Sequence, residues 1–364
     1  MAEPGRHLCL LGDASSVHLQ RWAREMLQRG WRVSVVTARP AAIAGVAEQV
    51  VLPPVARSSD WLLRSGEARR ALQRLAPDIV HAHYVTSYGW LAARADRHPL
   101  VMTAWGSDLL VTPKNNLLMR WHTGWTLRRA DLVTGDSADL VDEVARYRPR
   151  RPPLLVHWGV DLARFAPAPW ADKPRFEIVS LRNWEPNYRI DAIVQALALL
   201  RQREPAAPVH LHLLGGGPLA GALQAQVQAL GLQACVTMHG RLDDAGMAAV
   251  LARCKVSVSV PVSDATSVSV LESMACGLAV VASDLPANRQ WLGDEPALLL
   301  PTAGLPEALA GALQRLWHDD AGAQRIGAAH QRRMQREGSR QVQMDRMAAA
   351  YEELIAAPGQ GAAR

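Results

Sequence analysis

Apolar runs of strand length alternate with helix-length segments along almost the whole chain, and they do so in two separate series. The first series opens with the apolar run Leu8–Leu11, closed by a turn at Gly12-Asp13. A helix follows from Ser16, with Val17, Trp22, Met26 and Leu27 at roughly helical spacing and Arg29-Gly30 as its stop. Val33–Thr37 reads as the next strand. Strand, helix and strand in such close succession form a unit whose strands run parallel, because the helical crossover returns the chain to the same end of the sheet. Ile79–His83, Leu100–Ala104 and Leu132–Thr134 read as further strands.

The second series starts after the Pro-rich stretch Arg150–Pro153 and the linker Ala166–Pro174. Its expected strands are Phe176–Leu181, Val209–Leu214, Val236–His239, Val256–Val260, Ala279–Ala282 and Ala297–Leu300, with helices over Ile190–Arg201, Pro218–Leu230 and from Thr266 through Glu272. Residues 321–356 read as strongly helical. At 364 residues the chain exceeds what one core usually supports, so two α/β domains are expected.

Composition narrows the setting. No run of 18 uncharged apolar residues exists, and the polar N-terminus does not fit a signal peptide. Cys9, Cys235, Cys254 and Cys276 have no metal-binding spacing and fit free thiols in a reducing cytoplasm. The net charge of +6 is uneven: up to Phe165 there are 22 Lys and Arg against 15 Asp and Glu, whereas the remainder has 18 against 19. A basic first half could meet anionic lipid or an acidic acceptor; no nucleic-acid module is recognisable. Asn115–Arg129 carries Leu117, Leu118, Trp121 and Trp125 at roughly helical spacing. The expectation is a domain helix that buries them, with a membrane-surface anchor as the alternative.

Two carboxylates stand out in the second series. Asp264 and Glu272 are separated by the seven residues of a small-residue segment, Ala265–Leu271, at the exit of an apolar strand. Ser and Thr there can cap a helix, and its first N–H groups suit a phosphate. Acid, phosphate cradle and acid is the set of groups that a sugar joined to a nucleoside diphosphate requires. Gly215-Gly216-Gly217-Pro-Leu-Ala220 formally matches G-x-G-x-x-A after a strand. Position 239 is His where a nicotinamide site would want an acid, so the turn reads as close approach of backbone to a nucleotide.

The segment Asp264–Ala282 resembles the signature of the retaining GT-B glycosyltransferases of family 4: an acid, seven residues, Glu, then Ala-Cys-Gly-x-x-Val-Val-Ala. His157–Pro167 is similar to that family's interdomain linker, Leu213–Pro218 to its glycine turn and Asp78–His83 to an N-domain strand, so the resemblance covers roughly residues 5 to 356. It implies two Rossmann-like domains facing across a cleft: an acceptor domain over 1–165, a donor domain over 166–335, and a C-terminal helix in 336–364 that crosses back to the first domain. It implies a retaining transfer, by front-face displacement, of a sugar from a nucleotide-diphosphate sugar to a glycan, lipid-linked or small-molecule acceptor.

Carried onto these residues, the resemblance gives Glu272 the ribose hydroxyls and Asp264, one methylene shorter than the family's Glu, the sugar hydroxyls. Thr266, Ser267 and Val268 would hold the terminal phosphate through backbone N–H groups. Arg182 would clamp the diphosphate. The second cation's place falls at Tyr188, with Arg189 beside it as the substitute. Trp105 stands where the family often has His, in the segment that ends at Asp108. Asp13, Ser15 and His83 would border the acceptor. No metal and no organic cofactor is implied. The alternatives of other classes are a GT-B nucleotide-sugar epimerase, with His83 and Asp13 as its base and acid, and a non-catalytic nucleotide-sugar-binding or partner-binding relative. The expected setting is cytoplasmic polysaccharide or lipid-linked glycan assembly, with peripheral contact at the inner face of the membrane.

Overall fold

The protein, a computed structural model, is described over residues 5–57, 60–106, 108–109, 117–173, 175–264, 266–293 and 295–357. It divides into two units, one running to His157 and resuming at Gln343, the other spanning Trp158–Val342. The first unit is built from β1 (His7–Leu11), α1 (Val17–Gln28), β2 (Arg32–Thr37), β3 (Glu48–Val51), α2 (Asp60–Leu63), α3 (Ser65–Leu75), β4 (Ile79–His83), α4 (Trp90–Ala95), β5 (Leu100–Thr103), α5 (Leu117–Leu127), β6 (Leu132–Gly135), α6 (Ala138–Arg146) and β7 (Leu154–Leu155). Its strands pair in parallel in the order β3-β2-β1-β4-β5-β6-β7. β1, β4, β5 and β6 are buried along their whole length. Both faces of such a sheet are covered, which is why these strands read as continuous rather than alternating apolar runs.

The second unit contains β8 (Phe176–Ser180), α7 (Ile190–Arg203), β9 (Val209–Leu214), α8 (Ala220–Ala229), β10 (Val236–Gly240), α9 (Asp244–Leu251), β11 (Val256–Ser259), α10 (Val268–Ala275), β12 (Ala279–Ser283), α11 (Pro286–Leu292), β13 (Leu299–Leu300), α12 (Leu305–His318) and α13 (Asp320–Glu337). Its strands are parallel in the order β10-β9-β8-β11-β12-β13. Ile178, Leu211, Val258 and Val281 bury one face against Ile193 of α7, Leu223 of α8 and Leu309 of α12. Val179, Leu214 and Val280 bury the other against Leu251 of α9, Leu271 of α10 and Met334 of α13. The division between units falls after His157 rather than after residue 165, because Val160 and Phe165 bury in this second core.

The helical stretch read over 321–356 is broken. After α13 the chain opens at Gly338-Ser339 and resumes as α14 (Arg340–Ala356). There the Val160 N–H donates to the Gly338 carbonyl at 2.7 Å and the Arg340 N–H to the Val160 carbonyl at 3.0 Å, so the linker strand takes bonds a continuous helix would have made. From Gln343 onward α14 belongs to the first unit. Its Tyr351 is fully buried there, accepting a hydrogen bond from Trp22 Nε1 at 3.0 Å and bonding His81 Nδ1.

The helix expected over Asn115–Arg129 is α5 from Leu117 on; Asn115 and Asn116 lie outside the described residues. The expectation that it buries its large apolar side chains is corrected for three of the four. Leu117, Leu118 and Trp121 are 83%, 70% and 59% exposed, whereas Trp125 packs half-buried against the core of the first unit, and the buried residues are Thr123, Gly124, Thr126 and Leu127. Small residues let this helix sit close to its neighbours and leave those three outside.

Candidate active site

In the second unit the strand order reverses between β8 and β11. An open parallel sheet leaves a crevice beyond the carboxyl ends of its strands at such a reversal, and ligands bind there. The loops leaving these two strands carry Arg182 and Asp264. Arg182 Nη2 donates to Asp264 Oδ2 at 2.7 Å, and Nη1 donates to Ser269 Oγ at 3.2 Å and to Ser267 Oγ. The side chains are 10% and 22% exposed, so this ion pair is largely withdrawn from water. The Tyr188 ring lies 4.3 Å from the guanidinium carbon, a cation–π contact. Tyr188 is thus a face for Arg182.

The same loop runs into α10, whose N-cap position is Ser267; the Ser267 hydroxyl bonds Arg182 and Ser269 and makes no cap bond to the helix. Thr266 and Ser267 are buried, and the N–H groups of Val268 and Ser269 make up the partial positive end of the helix, those of Val270 and Leu271 donating to the Ser267 carbonyl. Glu272 sits on the second turn and is buried. The glycine turn after β9 packs on the Arg182 loop. A Cβ on Gly215, whose φ is 136°, would stand 2.5 Å from the Arg182 carbonyl oxygen, and one on Gly217 would stand 2.5 Å from that of Trp184. The Trp184 N–H donates to the Gly216 carbonyl at 3.1 Å. The close approach that demands glycine is therefore to residues 182–184. Arg189 caps α7 with φ 54°, and its Nη1 donates to the Thr302 carbonyl at 3.2 Å. That bond aims its guanidinium at the segment after β13.

The first unit reverses strand order between β1 and β4. Asp13 follows β1; its Oδ1 accepts from the Ser15 N–H at 2.9 Å and the Ser15 hydroxyl at 2.6 Å, and its Oδ2 from Arg39 at 3.2 Å. His83 ends β4, buried, with no hydrogen-bond partner at either ring nitrogen among the described residues. Its ring lies 5.1 Å from Trp22 and 5.6 Å from Trp105. Burial, aided by the neighbouring His18, drives the His83 pKa down to about 3, so its imidazole is neutral at physiological pH and a weak proton acceptor. Trp105 is packed between rings: His18 at 5.0 Å and Tyr84 at 5.8 Å besides His83. Asp108 is buried, and its two carboxylate oxygens accept from the Trp105 N–H at 2.9 Å and the Val85 N–H at 2.8 Å. Desolvation raises its pKa; its geometry ties the loops after β4 and β5 together.

Residues 7–137 match the family described as "Glycosyl transferase 4-like", and residues 175–319 match "Glycosyl transferases group 1". The chain belongs to the group 1 glycosyltransferases. A relative of this glycosyltransferase, the D-inositol 3-phosphate glycosyltransferase of Salinispora tropica, is 29% identical over 282 residues, 66% of this chain and 57% of that protein. The chain therefore spans less than two thirds of that relative's length. Among solved structures, the sucrose-phosphate synthase of Thermosynechococcus elongatus shares the fold at TM-score 0.80 and 20% identity, covering 97% of this chain and all of that one. HepE of Anabaena, solved in complex with UDP, matches at TM-score 0.78 and 16% identity, covering 96% of this chain and all of its own. The fold is GT-B, two α/β units each built on a sheet of parallel strands.

The sequence reading missed some of the residues at these sites. Ser269, bonded to Arg182, carries no signal of its own, because its partner is 87 residues away. His18 did carry one: it stands four residues before Trp22 on α1, which puts both on one helix face toward His83. The four cysteines are free thiols, three of them buried.

Proposed function

We propose that this glycosyltransferase moves a sugar from a nucleotide-diphosphate sugar to a hydroxyl acceptor with retention of anomeric configuration. The observation that carries the reading is the Arg182–Asp264 pair at the strand reversal of the second unit, beside the N-terminus of α10. Arg182, steadied by Tyr188 and Ser269, takes the diphosphate through its planar fork. Backbone N–H groups at Thr266, Ser267 and Val268 take the terminal phosphate, Asp264 the sugar hydroxyls and Glu272 the ribose. Gly215, Gly216 and Gly217 border the nucleotide. Arg189 exchanges the Thr302 carbonyl for a phosphate oxygen when donor binds. These cations and amides supply the positive charge of the leaving-group site, so the reading calls on no metal and no organic cofactor.

The sugar's anomeric C–O bond to phosphate breaks while the acceptor oxygen attacks on the same face. The acceptor's proton passes to the departing phosphate oxygen. In the first unit Asp13, Ser15, His83 and Trp105 border the acceptor, and Asp108 positions the Trp105 loop. Glycans, lipid-linked saccharides and small polyols are the acceptor class; the relative named for D-inositol 3-phosphate supports the last of these. Among the described residues no helix is long and apolar enough to cross a membrane. The setting we infer is the cytoplasm, in surface-polysaccharide or lipid-linked glycan assembly, with the exposed Leu117, Leu118 and Trp121 of the basic first unit touching an anionic membrane face. A nucleotide-sugar epimerase is disfavoured by His83, whose depressed pKa makes it a poor base.

The test is thermal shift and calorimetry against UDP-, GDP- and ADP-sugars. A cognate donor at a hundred times its Kd adds about 2.7 kcal/mol of stability. Glu272→Ala should abolish most of that gain; an unchanged donor Kd would remove Glu272 from the nucleotide site. The anomeric configuration of the product, read by NMR, decides retention.

A further inference from the structure

At the opposite end of the same sheet, where the strands begin, a second cluster of chemistry-bearing side chains lies apart from the Arg182–Asp264 loops. Glu177 is the second residue of β8, His212 lies in β9, and Cys254 sits just ahead of β11. One ligand atom from each lies within 4.8 Å of the others. We propose that these three residues hold one divalent transition-metal ion of the zinc class.

The donor chemistry is a thiol sulfur, an imidazole nitrogen and a carboxylate oxygen, a borderline-soft set that suits zinc rather than magnesium or calcium. Tetrahedral zinc spaces its ligand atoms roughly 3.3–3.8 Å apart. Glu177 Oε2 and His212 Nε2 are already 3.1 Å apart, and His212 and Cys254 are buried. His239 Nε2 lies 3.0 Å from His212 Nδ1. With the His212 proton on Nδ1 donated to His239, Nε2 presents its lone pair; outer hydrogen bonds of this kind commonly orient ligating histidines. The His210 ring lies tilted against the His212 ring, centroids 4.7 Å apart, and bonds Thr237 at 2.8 Å, limiting the ring's freedom.

A cation already occupies the neighbourhood. Arg253 Nε stands 3.3 Å from Glu177 Oε2, and its Nη2 lies 3.4 Å from His212 Nε2. The Arg253 side chain is 58% exposed, so it can swing into solvent as the metal takes its place. Cys254 Sγ donates to the Val250 carbonyl at 3.3 Å; on binding, the thiol proton leaves to solvent and the thiolate sulfur takes the metal. The bound ion would tie β8, β9 and the entry to β11 together, with water in the fourth position.

Titration of the metal-stripped full chain with Co(II), followed by Zn(II), tests this. We expect one cobalt per chain, with a thiolate-to-cobalt charge-transfer band in the near ultraviolet, displaced by zinc, and a raised Tm with either metal. Cys254→Ser should remove the band while the fold and nucleotide binding persist, and His212→Ala should weaken binding at least tenfold. Arg253→Gln should tighten it several-fold by removing the competing cation. No saturable band in the wild-type chain overturns the site. A band that survives Cys254→Ser, or binding no tighter in Arg253→Gln, overturns it as well.

Discussion

Arg182 and Asp264, 82 residues apart in the chain, form a 2.7 Å ion pair that joins the loops leaving β8 and β11. The pair sits at the point of strand reversal, and its two charges neutralise one another before any ligand arrives. On the proposed reading, a diphosphate entering there competes with Asp264 for the guanidinium, while a sugar hydroxyl engages Asp264 as acceptor. Each half of a donor then draws on one partner of the pair.

Asp264→Asn separates those halves. A bare nucleoside diphosphate then meets an uncompensated Arg182 and should bind about three- to tenfold more tightly, on the order of 1 kcal/mol. Transfer from the nucleotide sugar should fall at least tenfold, since an amide is a weaker acceptor of sugar hydroxyls than a carboxylate. Calorimetry with the diphosphate and steady-state kinetics with the sugar donor check both arms. If the diphosphate binds more weakly in this variant, Asp264 is not its competitor.

The Tyr188 ring faces the Arg182 guanidinium at 4.3 Å. Tyr188→Phe keeps the ring and should leave donor affinity within about twofold. Tyr188→Ala loses the cation–π contact, on the order of 1 kcal/mol, and should raise donor Kd roughly fivefold. Equal effects of the two substitutions would assign the role to the hydroxyl.

Much of the fold was legible from the sequence for a physical reason: a parallel strand covered on both faces must be apolar throughout. Leu8–Leu11 and Ala279–Ala282 stand in β1 and β12, where the apolar runs place them. β3 was not legible, because Glu48–Val51 is only partly buried at the sheet edge and lacks such a run. The break at Gly338-Ser339 was hidden too, since its cause is a pairing with Val160 far away in sequence. At the candidate site the sequence singles out Arg182 and Asp264, which the structure pairs, and Glu272, which it buries, while the aim of Arg189 toward Thr302 and the stacking of Tyr188 depend on loop conformation.

Tyr351 shows what such a distant pairing contributes. Its hydroxyl accepts from Trp22 Nε1 and bonds His81, all three buried. Tyr351→Phe keeps the ring but leaves two buried polar groups without that partner, which costs about 1–3 kcal/mol. The Tm should drop by several degrees with little change in donor affinity, because Tyr351 and the donor residues belong to different units. A Tm unchanged within a degree would mean that water replaces the hydroxyl without loss.

The exposed face of α5 gives a binding prediction. Leu118 and Trp121 flank the exposed Arg120, and the helix has no acid in its first turn. Vesicles containing anionic lipid should sediment the wild-type chain, and Leu118→Ser combined with Trp121→Ser should cut the bound fraction at least fivefold. Neutral vesicles serve as control. Equal sedimentation of both proteins would dismiss α5 as the contact.

Acid stability follows from His18 and His83, whose pKa values burial lowers to about 4 and about 3 from 6.5. Below pH 6.5 the unfolded chain takes up protons that these folded histidines refuse. Their contribution is therefore fully present above 6.5 and lost as pH falls toward 4, with a slope of about 1.4 kcal/mol per pH unit for each. His7, His81 and His122 of the same unit are lowered by burial as well and steepen the fall, while His98, raised by its hydrogen bond with Asp131, and Asp108, raised by burial, oppose it. Trp22 and Trp105 flank His83, and their fluorescence reports unfolding of the first unit. Replacing the imidazole by a non-ionisable ring in His83→Phe should flatten the fall in Tm between pH 6.5 and 4.5 by about one proton's worth. Parallel curves for wild type and variant would show that another group carries the acid sensitivity.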